Sequence, residues 1–190
     1  MLNAAFLKSH FDRAHTFARY VATGKPAQQQ AFMDIFERAR LDPHQTEIVS
    51  SFVRDMKILV SSGVWCGDCV QQVPLLARIA EANPKRIDLR IVDRDEHKDL
   101  ADKIMINQGH RVPVAIFMAE DFEFVSMLGD RTLTRYRAVA LRNLGPACPL
   151  PGAPVPDGEL SATLQDWLDE TERVHLILRL STRLREKHGD

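Results

Sequence analysis

The run "VPVAIFMA", Val112 to Ala119, constrains this chain more than any other stretch. It is apolar almost without a break, and a strand with one wet face would instead alternate. A strand covered on both faces needs helices on each side of its sheet, so the surrounding chain reads as an α/β layered fold. Neighbouring segments agree with that reading. "KILVSS" from Lys57 is a short β-rich run, and "IDLRIVD" alternates through Ile87, Leu89 and Ile91. "FEFVSML", from Phe122, alternates again after the turn-like "AED". Between the first two runs, "VQQVPLLARIAEAN" has helical spacing through Val70, Val73, Leu76, Ile79 and Ala80. "DEHKDLADKIMIN" reads as a second helix, with Asp95 as its cap. The order β-α-β-α-β-β predicts parallel strands joined by helical crossovers.

Both flanks read as helix. "AAFLKSHFDRAHTFARYVATG" carries Phe6, Leu7, Phe11, Ala14, Phe17, Ala18 and Val21 at helical spacing, and Gly24 supplies a stop. Pro26 opens a second amphipathic stretch, and "HQTEIVSSFVRDM" is a third. "RTLTRYRAVALRNL" follows the strands as a helix, and "GPACPLPGAPVPDG" is an irregular loop. The last segment places Leu160, Leu164, Trp167, Leu168, Val174, Ile177, Leu178 and Leu184 on one helical face. The expected organisation is a helical extension over 1–56, an α/β domain over 57–142, and a proline-rich loop with a C-terminal helix over 143–190 packed on that domain. A net charge of −1 in 190 residues gives no support to a nucleic-acid or membrane-surface partner. No apolar run nears the roughly 20 residues of a membrane span, and the N-terminus lacks the form of a leader peptide, so a cytoplasmic location is expected.

Chemistry concentrates in "SGVWCGDCVQQVP", Ser62 to Pro74. A strand running into Trp65–Cys66, with a helix beginning between the cysteines, puts Cys66 at the helix N-terminus. Unpaired N–H groups and the helix dipole there favour a thiolate. Cys69, one turn on and more buried, suits a resolving thiol that displaces a product held on Cys66. With only one further cysteine, Cys148, the chain has no disulfide framework, and a zinc site would lack its four ligands. Two inert packed thiols are the plainer alternative, against which Trp65 and the helix start both argue.

Here the chain resembles the thioredoxin superfamily over roughly Lys57 to Arg142. "VWCGDC" is similar to the family's WCGPC motif, Pro74 to the proline of its active-site helix, and "VPVAIF" to the element carrying its cis-proline. The resemblance implies a thioredoxin-like fold with added helical segments at both termini, and thiol–disulfide exchange with Cys66 attacking and Cys69 resolving. It implies a cis-Pro113 packed beside the dithiol, and Val112 offering main-chain hydrogen bonds to an extended substrate. Trp65, Gly67, Asp68, Val112, Pro113 and Arg111 form the supporting site. No organic cofactor is implied beyond the redox-active Cys66–Cys69 pair. The partners implied are a disulfide-bearing protein or small molecule, and a reductase or small thiol as electron donor.

Two departures matter. Asp68 stands where the family has proline, and Val60 where it has a buried aspartate that helps deprotonate the resolving thiol. Asp68 is the first substitute proton acceptor to consider, and its charge is expected to disfavour the Cys66 thiolate and favour reductant behaviour. Arg111 is placed to offset that charge or to contact an anionic substrate, though a solvated loop arginine is the plainer account, as a surface histidine is for His110. A redox sensor or adaptor with little turnover is the rival function. A peroxidase fits the CxxC spacing less well.

Overall fold

The computed structural model describes residues 2–144 and 158–190, so Cys148 and the proline-rich loop expected around it lie outside the described residues. Four helices come first: α1 (Ala4–Arg13), α2 (Phe17–Val21), α3 (Pro26–Arg38) and α4 (Pro43–Ser50). The first amphipathic stretch is therefore two helices, not one. Between them the chain extends, and His15 exchanges backbone hydrogen bonds with Ile91, each 2.8 Å, capping the open edge of a strand. Thr16 restarts the helix as an N-cap. The apolar spacing runs through this break because both pieces bury the same side of the chain.

The strands are β1 (Met56–Ser62), β2 (Ile87–Asp93), β3 (Val114–Ala119) and β4 (Phe124–Gly129), in the order β2-β1-β3-β4. β1 and β2 are parallel and joined by α5 (Gly67–Ala82). β3 is antiparallel to β1, and β4 to β3, so the expectation of parallel strands holds for one pair only. A parallel crossover must carry the chain back along the sheet, which takes a helix of some length. The link from β2 to β3 contains only α6 (Lys98–Ala101), a single turn, and β3 starts at the end of the sheet where β2 finishes.

Asp95 does not cap that helix; His97 occupies the N-cap position. The Asp95 N–H instead donates to Asp93 Oδ1 at 2.8 Å, holding the strand end in a turn. His97 is drawn inward against His10, their Nδ1 atoms 2.7 Å apart. Further on, Asn107 and Gln108 at positive φ close a turn between Ile106 and Gly109 that ends any helical continuation.

β3 is buried along its whole length, as its composition predicts. Alternate residues of β1 serve opposite layers. Ile58 and Val60 pack with Val73, Leu76 and Ile79 of α5 and with Trp167, while Leu59 packs with Leu7, Phe11, Leu100 and Ile104. After β4 come α7 (Leu133–Leu144), α8 (Glu159–Leu180) and α9 (Thr182–His188). The break at Ser181 turns α9 so that Lys187 and His188 meet Glu120 and Arg183 meets Asp121 on the β3–β4 turn. Leu164, Trp167, Leu168, Val174, Leu178 and Leu184 reach the core, but Ile177, expected on that face, is 40% exposed.

Candidate active site

Three turns of chemistry meet at the end of β1. The chain leaves Ser62, passes Gly63 and Trp65, and enters α5 with Cys66 as the N-cap in an extended conformation (φ −92°, ψ 121°). Pro74 lies inside that helix, where it removes one backbone donor. Cys66 is half-buried and Cys69 fully buried, both as free thiols. The Cys66 sulfur accepts a hydrogen bond from the Cys69 thiol and others from the backbone N–H groups of Cys69 and Asp68. Together these pull its pKa down to about 6, against burial and the charge of Asp68, which push it up. Burial first, then the hydrogen bond to Cys66 and its charge, push the Cys69 thiol well up. At neutral pH the pair is thus a half-buried thiolate beside a fully buried, protonated partner, the division of labour that exchange requires.

The opposite wall comes from the start of β3. The Val112–Pro113 bond is cis, and the Val112 carbonyl lies 3.7 Å from the Cys66 sulfur, accepting from it in the thiol form. β4 comes so close behind that a Cβ on Gly129 would sit 2.6 Å from the Pro113 oxygen, so only glycine fits. A Cβ on Gly63 would likewise lie 2.6 Å from the Trp65 ring, which folds over that residue. Trp65 is half exposed, with the Arg94 guanidinium 4.6 Å from its ring centre.

The partner of Asp68 differs from the expected one. Arg131 and Arg135 hold its carboxylate at 2.5 and 3.1 Å. Arg111 pairs with Asp130 at 3.3 Å, and His110 with Asp102 at 2.7 Å, so neither reaches Asp68. Asp130 is buried and also engages Arg131 and Tyr136, while Glu159 of α8 pairs with Arg135 from the far side. Gln72 fixes this loop against α5, donating to the Asp130 carbonyl at 3.0 Å and accepting from the Thr132 N–H at 3.1 Å. Both Asp68 oxygens are thus engaged by guanidiniums, and no hydrogen bond joins that carboxylate to the Cys69 sulfur.

The buried side of Cys69 has a different lining. The Gly63 N–H donates to its sulfur at 3.4 Å, and the neighbouring Ser62 hydroxyl favours the ionised form of Cys69. Tyr20 of α2 donates to Ser62 Oγ at 2.8 Å. Val60 sits fully buried on the same face of β1, with no polar atom to offer. Sequence reasoning missed Tyr20, Ser62, Asp130, Arg131 and Arg135. Only the Arg131–Arg135 spacing, one helical turn at the head of α7, carries a local hint. Among the described residues, no group of three His, Cys, Asp or Glu side chains is placed to hold a metal ion. No helix there is long and apolar enough to cross a membrane.

A family model described as thioredoxin matches residues 14–138. No curated protein matches the sequence. Among solved structures, a protein of unknown function from Pseudomonas aeruginosa superposes with a TM-score of 0.70 at 19% identity, over 92% of this chain and 97% of that one. An HIV epitope scaffold superposes with a TM-score of 0.61 at 20% identity, over 96% of this chain and 98% of its own. Mitochondrial thioredoxin 3 of Saccharomyces cerevisiae aligns over 45% of this chain and 74% of its own, at 19% identity and a TM-score of 0.33. The first two extend over both helical flanks as well as the sheet. With a dithiol at the mouth of α5, a proline opening β3 and a family match across most of its length, this chain belongs to the thioredoxin superfamily.

Proposed function

We propose that this chain is a thiol–disulfide oxidoreductase that reduces protein or small-molecule disulfides in a reducing compartment such as the cytoplasm. The observation that carries the reading is the asymmetry of the pair: Cys66 held as a thiolate at the helix mouth, Cys69 buried and protonated. The Cys66 thiolate attacks a substrate disulfide, forming a mixed disulfide and releasing the first substrate thiolate, which takes a proton from water. Cys69 then attacks the Cys66 sulfur, releases the second substrate thiol, and leaves a Cys66–Cys69 bridge. Trp65 and the Val112–Pro113 segment flank the attacked disulfide in this scheme. A reductase or small thiol restores the dithiol.

Cys66→Ser is expected to abolish disulfide reduction, and Cys69→Ser to accumulate a mixed disulfide on Cys66, read by mass spectrometry. Trapping on Cys69 instead reverses the two roles. One observation favours a second reading, a redox sensor or adaptor: a lattice of fixed ion pairs among Asp68, Asp130, Arg111, Arg131 and Arg135 borders the dithiol. Such a rim suits one charged partner better than many substrates. Insulin reduction driven by a thioredoxin reductase system separates the two, since a sensor turns over slowly or not at all.

A further inference from the structure

Resolution poses a problem that the sulfurs alone do not solve. In the reduced protein the Cys69 thiol donates to the Cys66 thiolate. Once Cys66 is tied up in a mixed disulfide, that acceptor is gone, and Cys69 must become an anion in a pocket where its side chain is wholly buried. Among the described residues no carboxylate is bonded to the sulfur, and Asp68 is clasped by Arg131 and Arg135. An anion in such a place needs donors aimed at it.

We propose that Tyr20 and Ser62 form a hydroxyl chain that steadies the Cys69 thiolate during resolution, so that the N-terminal helical segment supplies a positioning residue to the dithiol. This rests on the oxidoreductase reading above. Tyr20 O–H donates to Ser62 Oγ at 2.8 Å, and the Gly63 N–H next along the chain donates to the Cys69 sulfur at 3.4 Å. The Ser62 hydroxyl lies beside that sulfur and favours its ionised form, so a small turn of the hydroxyl completes the chain. Because Tyr20 occupies a lone pair of Ser62, the serine hydrogen is left to point at sulfur. Ser62 and Tyr20 are 0% and 1% exposed, so water does not compete for these bonds. Burial pushes the Tyr20 pKa up, which keeps it a neutral donor. Tyr20 is itself fixed by core packing, its ring edge-on to Phe32 at 6.0 Å. The titratable groups around this cluster are Cys66 on the same helix, Tyr20 from α2, and Asp93 at the end of β2, which acts on Tyr20.

The step balances without another reagent. The Cys69 sulfur bonds to the Cys66 sulfur as the Cys66–substrate S–S bond breaks. The electron pair leaves on the substrate sulfur, which gains the proton that Cys69 gave up. Both cysteines end oxidised and the substrate sulfur reduced.

An aromatic disulfide of the Ellman type reads both steps in one stopped-flow trace, because attack by Cys66 releases one coloured thiolate and resolution by Cys69 the second. In Ser62→Ala the second phase is expected to slow about tenfold, and its pH midpoint to rise by about one unit, with the first phase unchanged. Tyr20→Phe is expected to slow the second phase severalfold, and Ser62→Thr, which keeps the hydroxyl, to stay near wild type. Circular dichroism melts check that each variant is folded. If Ser62→Ala unfolds, Tyr20→Phe, which deletes one oxygen, decides alone. A second phase with unchanged rate and midpoint in the folded variants overturns the hydroxyl chain and leaves the oxidoreductase reading standing. Equal slowing of both phases also overturns it, as a general disturbance. A wild-type protein that never releases the second thiolate removes both.

Discussion

The two flanks of the dithiol are built from opposite materials. On the inner side, α2 reaches Cys69 through neutral hydroxyls, Tyr20 and Ser62, both shut off from water. On the outer side, α7 and α8 reach toward Cys66 through a chain of full charges, Glu159 to Arg135 to Asp68 to Arg131 to Asp130. The dividing line is solvent. Glu159, Arg131, Asp68 and Arg135 keep about a tenth to a third of their side-chain surface exposed, so their ions retain part of their hydration, and the buried Asp130 is paired with both Arg131 and Arg111. An isolated ion in the inner pocket would forfeit it all at a cost of several kcal/mol, whereas a satisfied hydroxyl pair costs little. Each terminal helical segment thus contributes at the site in the currency its depth permits.

The largest expected effect tests whether the C-terminal segment touches the chemistry at all. Trp167 of α8 is fully buried and its Nε1 has no hydrogen-bond partner among the described residues, so its contribution there is packing. Trp167→Ala is expected to cost about 3–5 kcal/mol and lower Tm by roughly 10 °C. The pH dependence of Cys66 alkylation should not move. Trp167→Phe, which loses volume but no hydrogen bond, should fall well short of that cost. A shifted Cys66 profile in either variant would mean that core packing and site electrostatics are not separable here.

Acid should weaken both helical flanks together. His175 of α8 accepts the Val53 N–H at 3.0 Å and stacks on Phe52. Burial, then the charges of Arg179 and Arg54, bring its pKa down from 6.5 to about 4. His10 and His97, facing each other between α1 and α6, are both held below the ordinary value, chiefly by burial. A histidine depressed in the fold binds fewer protons than in the unfolded chain, so its contribution is complete above about pH 6.5 and is lost as pH falls toward the folded value. Thermal melts between about pH 7 and 4 should show Tm falling with acid, and His175→Gln should flatten part of that slope. A Tm that holds steady across this window would show that the histidines take up protons alike in the folded and unfolded chain, with no depression to lose.

How much of this is legible in the sequence follows from the range of each interaction. β3 is plain because every residue of "VAIFMA" is buried and says so by type. Cys66, Cys69 and Pro74 declare themselves because their spacing lies within one helix. The break at Ala14–Thr16 hides because the apolar pattern continues through it, and the short α6 hides because His97 is committed to His10 on a distant helix. Asp68 with Arg131 spans 63 residues and Tyr20 with Ser62 spans 42, so no local periodicity could announce either pair. Arg111 next to Pro113 looks like the natural counterion for Asp68, yet the loop fixed by Gln72 hands it Asp130 instead.

Smaller effects separate the two materials directly. Asp68→Asn removes a charge that raises the Cys66 pKa and leaves Arg131 and Arg135 without that counterion, so the Cys66 midpoint should drop below about 6. A more stable thiolate makes the disulfide easier to reduce, so the equilibrium potential against glutathione should rise with it. An unchanged or lower potential would mean that the clasping arginines already cancel Asp68 at the sulfur.

Glu159→Gln acts one link further out. Losing Glu159 leaves Arg135 bound to Asp68 alone, making the surroundings of Cys66 slightly more positive and lowering its midpoint by a few tenths of a unit. Salt then tells the two sides apart. Exposed charges are screened over about 10 Å at 0.1 M ionic strength, so the Glu159→Gln shift should shrink towards nothing as salt rises. The factor by which Tyr20→Phe slows the second phase relative to wild type at the same salt should not change, because a hydrogen bond between two buried neutral hydroxyls has no counterion atmosphere to compress. Equal salt dependence for both would place charge on the inner side, where the packing around Ser62 leaves no room for its hydration.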